Sequence, residues 1–355
     1  MPKMRPTYHI IGGGIAGLTA AKYVRKYNPQ AEIILYEAAG NLGGKCKSYY
    51  DPVLQSNVDT ATHAILKCNK EACKITGKLK FQNSFLFYDA QTGKFSHSIL
   101  KNIKDIILAL FNLPLELVSR PILKITLQQM FPFWNVKKVY FTENVTNEKI
   151  INQHIQYPDK ICYHYVLKDV RGKKGRATKL VFNKETILLT EKDIVISAID
   201  IHNFSRIFKT KEPAYNKIIN IHYRTSTPLT LPESRSFIAV TNGLSQWIFV
   251  NGNILSVTIS HADKIDLHKE ELAREVWKEV CTLRKVKAAF VPPHRVLIHH
   301  RATLRQDDKN NQLRPFDCLT QYENFYLAGD WTMRDWPCSL EAAAQSGKRA
   351  AQAAK

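Results

Sequence analysis

Tyr8-His9-Ile10-Ile11-Gly12-Gly13-Gly14-Ile15-Ala16-Gly17 is the stretch that decides the fold. Tyr8–Ile11 is a short apolar run with strand character that stops at the glycines, and Leu18 to Tyr27 continues with helical spacing. Ile33-Ile34-Leu35-Tyr36 reads as a second strand ending on Glu37, twenty positions after Gly17 (37 − 17 = 20). Strand, glycine turn, helix, strand and acid in this order predict a dinucleotide-binding unit. Gly12 permits a turn too tight for a side chain, Gly14 lets a pyrophosphate approach the backbone, and Gly17 lets the helix pack close to the strand. The amides that open the helix at Ile15 and Ala16 face the phosphates with the positive end of the helix dipole. Glu37 is placed to accept hydrogen bonds from an adenosine ribose. This stretch alone leaves the identity of the dinucleotide open.

The 355 residues suggest about two domains, and 45% apolar with 23% charged residues is ordinary for a globular chain. With the first strand near residue 8, no signal peptide fits ahead of it, and no apolar run reaches the length of a membrane span. Seven cysteines include no CxxC pair, and Cys68 and Cys73, the nearest two, have no spaced histidine pair beside them. The reading is reduced thiols in a cytosolic protein and no metal site. A net charge of +20 favours an anionic partner. No RRM, zinc-finger or helix-turn-helix signature supports nucleic acid, which leaves a solvated basic surface first and an anionic membrane surface second.

After Glu37, Gly43-Gly44-Lys45 offers another close backbone approach with a positive charge beside it. Val58 to Leu66 reads as a strand-and-turn segment near the cofactor. Ile99 to Leu113 has helical spacing and ends at Pro114, with an apolar face that either fills a core or dips into a membrane. Cys162 to Val181 reads as a β-hairpin turning at Gly172–Gly175. Asp193 to Ala198 is a buried strand whose return to the first sheet would make the dinucleotide domain discontinuous. Strand-like segments between Ile218 and Ser260 suggest an antiparallel sheet in the second domain, and Lys269 to Leu283 is amphipathic. The expected division is 1–66, 160–205 and 300–355 for the dinucleotide domain, and 67–159 and 206–299 for a substrate domain.

Near the other end, Phe325-Tyr326-Leu327-Ala328-Gly329-Asp330 is a short strand ending in Gly-Asp, with Thr320 seven positions before Leu327. This spacing is that of a flavoprotein fingerprint, in which Asp330 would accept a hydrogen bond from the ribityl chain and Gly329 would let the backbone come close. Trp336-Pro337-Cys338-Ser339 then leads into an alanine-rich helix from Leu340 to Gly347. The start of that helix, with Pro337, Ser339 and Leu340, would favour the anion of reduced flavin. The two ends of the chain together point to FAD.

The chain resembles the FAD-dependent amine oxidase and phytoene desaturase superfamily, and within it the hydroxysqualene dehydroxylase family. The resemblance rests on Gly12–Gly17, Gly43–Ser48, Asp59–Leu66, Phe85–Thr92, Ile221–Arg224, Gln246–Phe249, Arg301–Thr303 and Leu327–Gly347. Lys45 stands where that group carries an arginine, and Cys338-Ser339-Leu340 replaces Ala-Thr-Met/Ile. The resemblance implies an α/β fold: a Rossmann-like, glutathione-reductase-type FAD domain with an inserted α+β substrate domain. It also implies reductive removal of the hydroxyl from hydroxysqualene, on the route to hopanoids. The partners would be a long-chain isoprenoid substrate, an external electron donor and the inner face of an anionic membrane. A carotenoid desaturase, an amine oxidase, and an FAD-binding partner without activity are the rival readings. His63 and Asp59 are candidate acids or a hydrogen-bonded structural pair, and Trp336 is either a wall beside the flavin or a packing residue.

Overall fold

Backbone pairing puts Tyr8–Ile11 at the centre of a parallel sheet. In chain order the first strands are β1 (Thr7–Ile11), β2 (Glu32–Glu37), β3 (Ser48–Asp51), β4 (Ser56–Asp59), β5 (Ala64–Leu66) and β6 (Lys80–Asn83). There follow β7 (Phe87–Asp89), β8 (Phe95–Ser96), β9 (Lys138–Phe141), β10 (Lys160–Tyr163), β11 (Leu167–Lys173), β12 (Arg176–Phe182) and β13 (Thr186–Leu188). The last are β14 (Ile194–Ser197), β15 (Tyr215–Arg224), β16 (Phe237–Thr241), β17 (Trp247–Asn251), β18 (Ile254–Ile259), β19 (His294–Leu304) and β20 (Phe325–Leu327). The α-helices are α1 (Ile15–Tyr27), α2 (Lys70–Ile75), α3 (Ile103–Phe111), α4 (Arg120–Met130), α5 (Ile201–Phe208), α6 (Lys269–Leu283), α7 (Asp308–Gln312) and α8 (Leu340–Ala353). The structure is a computed structural model that describes residues 5–60, 64–66, 68–75, 80–83, 85–98, 101–130, 138–141, 151–152, 154–288 and 290–355.

The first sheet has the order β10-β2-β1-β14-β20 and every neighbouring pair in it is parallel. Its strands are apolar on both sides because both faces are covered. Tyr8, Ile10, Ile33, Leu35 and Ile196 join the core under α1 and α8. Ile11, Tyr36, Val195 and Phe325 face the opposite layer, built from β11, β12 and α5. Helix α8 lies directly on α1, where a side chain at Gly347 would meet the Ala16 carbonyl oxygen at 2.1 Å. Residues 160–163, 194–197 and 325–327, distant in sequence, thus rejoin the sheet begun by β1.

A second, seven-stranded sheet has the order β19-β15-β18-β17-β16-β7-β8. On its back face Ile219, Ile221, Tyr223, Ile238, Val240, Ile248, Val257 and Val296 pack with Leu272, Val276 and Val280 of α6. Alternation along the strands sends the intervening residues to the front face. There Phe85, Phe87, Phe237, Phe249 and Trp247 pack with Ile106 of α3. The Arg295 guanidinium pairs with the buried Asp51 carboxylate at 2.6 Å, tying the β3–β4 hairpin to β19.

Several elements depart from the expectations. The hairpin spans Leu167 to Phe182, not Cys162 to Val181, because Cys162 pairs with Tyr36 and so extends the first sheet. Its turn is the two residues Lys174-Gly175, both at positive φ, as the twist of a tight hairpin requires. The second sheet is mixed, since β7 runs parallel to β16. Helix α3 covers Ile103–Phe111, shorter than Ile99–Leu113, and stops at Asn112 in the left-handed region before Pro114. Strand β19 stays in the second sheet to Leu304, past the boundary expected at residue 300.

Candidate active site: a nucleotide cradle beside an aromatic sheet face

The glycine turn after β1 is as tight as its sequence implies. Gly12 has φ +107°, and a Cβ there would lie 2.6 Å from the Ala198 carbonyl oxygen; a Cβ on Gly17 would lie 1.9 Å from that of Gly12. Gly14 differs. Its nearest neighbours to a built Cβ are Gly44 Cα at 3.8 Å and the Gly43 oxygen at 3.9 Å, so the backbone is bare on that side. The Gly43 amide donates to the Gly13 carbonyl at 2.9 Å, which stitches the second glycine turn to the first. Gly14 caps α1 without a side-chain hydrogen bond, and no acid lies in the first turn. The opening amides of α1, at Ile15 and Ala16, are therefore presented to an anion.

Glu37 is buried at the end of β2 and also organises this turn. Its carboxylate accepts from the Gly13 amide at 2.7 Å and the Ala39 amide at 2.8 Å. Two oxygens carry about four lone-pair sites, so acceptor capacity is left for ribose hydroxyls. The segment Tyr163-His164-Tyr165 runs alongside: Tyr163 is opposite Glu37, and the Tyr165 amide donates to the Glu37 carbonyl at 2.9 Å. With Glu37 they would border the adenosine end of a bound dinucleotide. The sequence reading missed them because it took the segment for half of a hairpin.

At the other end of the cradle, Gly329 follows β20 with φ +134° and donates its amide to Ser346 Oγ of α8 at 2.8 Å. The Asp330 carboxylate has no hydrogen-bond or ion-pair partner among the described residues and is free to accept from a ligand hydroxyl. Thr320 has a local task, bonding the Phe325 carbonyl at 2.8 Å to shape the turn into β20. Ser339 caps α8 by accepting from the Ala342 amide at 3.2 Å, just after Pro337 and before Leu340. Glu341 in the same turn is directed away, accepting from the Ala72 amide at 2.7 Å. Trp336 is half-buried. Cys338 is buried, and that burial pushes its thiol up to about 11, far from thiolate chemistry.

Two residues that shape this segment carried no motif signal. Arg314 is buried and donates to the carbonyls of Asp330 at 2.9 Å, Met333 at 2.5 Å and Trp336 at 2.9 Å. Gln306 accepts from the Cys338 amide at 2.8 Å.

Lys45 ties the second glycine turn to the second sheet. Its ammonium donates to the Ala302 carbonyl of β19 at 3.0 Å, and its own carbonyl accepts from the Thr60 hydroxyl at 3.1 Å. Asp59 accepts from Ser48 Oγ at 2.5 Å, a bond that closes the β3–β4 hairpin. His63 lies outside the described residues. On the front face His222 is buried against Ser256 Oγ at 2.7 Å, and burial pushes its imidazole down to about 4. Among the described residues no group of acids, histidines and cysteines could hold a metal ion.

The bare backbone at Gly14, the uncapped start of α1 and the unpartnered Asp330 fit an extended dinucleotide carrying a polyol chain. Residues 158–355, more than half of the chain, match the family model described as flavin containing amine oxidoreductase. The chain belongs to that family. As a flavin-containing amine oxidoreductase it is an FAD-dependent enzyme, and residues 10–74 match an NAD(P)-binding Rossmann-like domain. It is 26% identical to hydroxysqualene dehydroxylase of Rhodopseudomonas palustris over 98% of both chains. It is 23% identical to hydroxysqualene dehydroxylase of Sinorhizobium fredii over 100% of this chain and 99% of the relative. Among solved structures it is similar to an oxidoreductase from Methanosarcina mazei, with TM-score 0.71 and 12% identity, covering 96% of this chain and 98% of that one. Putrescine oxidase bound to putrescine matches at TM-score 0.67 and 12% identity over 98% of each chain. The fold is that of FAD oxidoreductases.

Proposed function

We propose that this oxidoreductase removes the hydroxyl of hydroxysqualene to give squalene, the precursor in hopanoid synthesis. The observation that carries this reading is the similarity to hydroxysqualene dehydroxylases along the whole chain, the second sheet included. Breaking the C–O bond of an allylic alcohol leaves a delocalised cation while the oxygen departs with a proton as water. FAD in its reduced form supplies hydride. The first turn of α1 and Gly43-Gly44 would hold the pyrophosphate, Asp330 the ribityl chain, and the start of α8 would favour negative charge on the ring. The aromatic front face of the second sheet is suited to an isoprenoid chain and keeps water from it.

Incubating reduced, flavin-loaded protein with hydroxysqualene under anaerobic conditions tests the reading by its yield of squalene. A desaturase runs the related hydride transfer in the opposite direction, so a panel of phytoene and polyamines, scored for bleaching of oxidised flavin, separates the rivals. An external electron donor completes the cycle.

No helix of the described residues is long and apolar enough to cross a membrane. The net charge of +20 supports a peripheral seat on the anionic inner face of a membrane, where this water-insoluble substrate resides. Retention by anionic but not neutral vesicles at low salt is the expected outcome. Equal failure with both contradicts it.

A further inference from the structure

On the front face of the second sheet one aromatic ring is placed unlike the others. Trp247 stands in a cluster with Phe85, Phe237 and Phe249, at centroid separations of 6.0, 6.3 and 6.4 Å. Phe85, Phe87, Phe237 and Phe249 are no more than 4% exposed, whereas Trp247 is half-buried. Among the described members of this cluster it is the ring that a ligand can touch.

Its row leads to the nucleotide cradle. Trp247 is opposite Thr258 on β18, and Thr258 is opposite Asn220 on β15. Thr258 Oγ1 donates to Asn220 Oδ1 at 2.8 Å, and Asn220 Nδ2 donates to the Thr60 carbonyl at 3.2 Å. The Thr60 hydroxyl in turn bonds the carbonyl of Lys45, beside Gly43-Gly44. With neighbouring strands ~4.8 Å apart, Trp247 stands roughly 10 Å along the sheet from Asn220. The row therefore passes from an indole face, through neutral hydrogen-bonding groups, to Thr60 and Lys45 beside the turn that would hold the pyrophosphate.

We propose that Trp247 is a catalytic residue whose ring face stabilises the positive charge that develops on the substrate carbon. This inference rests on the dehydroxylation reading and deepens it. The bonding pair of the C–O bond leaves with oxygen, which takes up a proton and departs as water. The carbon then accepts a hydride, two electrons and a proton in one unit, from reduced flavin, which is oxidised. Between those events the carbon is cationic in an apolar setting, where water cannot solvate it. An indole has the strongest negative face of the aromatic side chains, and a leucine would supply the same apolar contact without it. Four phenylalanines already pack this wall, so packing alone does not call for an indole at its reachable edge.

Fluorination tests the charge without changing the shape. Tryptophans carrying one to four fluorines, inserted at position 247, should slow single-turnover squalene formation stepwise, by on the order of 30-fold across the series. Flavin content should not change. A second readout does not depend on turnover: binding of a C30 isoprenoid tertiary amine, protonated at the reacting position, compared with its neutral ether isostere. The wild type should prefer the ammonium, Trp247→Phe should keep part of the preference and Trp247→Leu should lose it. Rates and binding that ignore fluorination overturn the assignment, as does equal binding of the two lipids by the wild type. If hydroxysqualene is not converted while the preference follows the ring, the proposed substrate falls and the role of Trp247 in holding a cation stands.

Discussion

Arg314 holds Asp330 in place through the main chain: its guanidinium, buried behind the segment, donates to the Asp330 carbonyl at 2.9 Å. Further donations reach Trp331 at 3.3 Å, Met333 and Trp336, so one side chain sets the path from Gly329 to the start of α8. Arg314→Met takes the donor from the Trp331 and Trp336 carbonyls and leaves those of Asp330 and Met333 with only the main-chain amides of Met333 and Trp336. Each buried acceptor left unsatisfied costs about 1–3 kcal/mol. The expected outcome is a lower melting temperature together with a loss of bound flavin. Arg314→Lys should recover only part of both, because a point charge cannot replace the planar fork. Absorbance at the flavin band and thermal unfolding check this. Full flavin content in the methionine variant would contradict it.

Gly14 and Gly17 should fail in different ways. Gly14→Ala fits the backbone, which has φ −78° there, and meets no atom closer than 3.8 Å. The added methyl occupies the side where the pyrophosphate approaches. The variant should fold with normal stability and bind FAD at least ~10-fold more weakly, since losing one charge-assisted hydrogen bond costs about 1.5–3 kcal/mol. Gly17→Val drives a side chain into the Gly12 carbonyl and should lose fold and flavin together. Titration with FAD, followed by fluorescence quenching, separates the two.

Glu71 predicts acid sensitivity. Burial opposes its ionisation, but hydrogen bonds from Lys74, Tyr23 and Lys348 outweigh that and hold the carboxyl down at about 2, against an ordinary value of 4.5. A depressed carboxyl stabilises the fold above the unfolded value, and that contribution is lost as pH falls from 4.5 through about 2. The slope approaches about 1.4 kcal/mol per pH unit for one proton. Glu71→Gln should be less stable at neutral pH and should lose this part of the slope. Denaturant midpoints between pH 5 and 2 are the measurement, and parallel curves for both proteins would refute the assignment.

His222 acts at higher pH. Its imidazole is pushed by burial from 6.5 to about 4, so the folded state resists a proton that the unfolded chain accepts. Stability is unaffected above 6.5, declines as pH falls from 6.5 to 4, and then levels off. His222→Gln should remove the decline within that window, read from the same midpoints.

How much was legible in the sequence depended on whether a demand was local. The positive φ of Gly12 and Gly329 and the close approach of Gly17 to Gly12 are demands set within a few residues, so their spacing announced the cradle. The alternation that buries Ile219 and Ile221 and sends Asn220 and His222 to the other face was equally present in the string. What that other face meets was not, because it depends on pairing between β15, β18 and β17. Cys162 shows the same limit: its apolar neighbours fit a hairpin as well as a sheet edge, and only pairing with Tyr36 decides. Arg314 was invisible for a related reason. A buried arginine that binds only carbonyls and an amide side chain has no acidic partner to mark it in sequence.

The most direct test of the central claim is anaerobic single turnover. Flavin-loaded protein is reduced chemically, mixed with hydroxysqualene in detergent or anionic vesicles, and followed by flavin absorbance and lipid analysis. The prediction is squalene formed in step with reoxidation of the flavin, one molecule per flavin. Fully loaded, reduced enzyme that leaves hydroxysqualene unchanged would contradict the account.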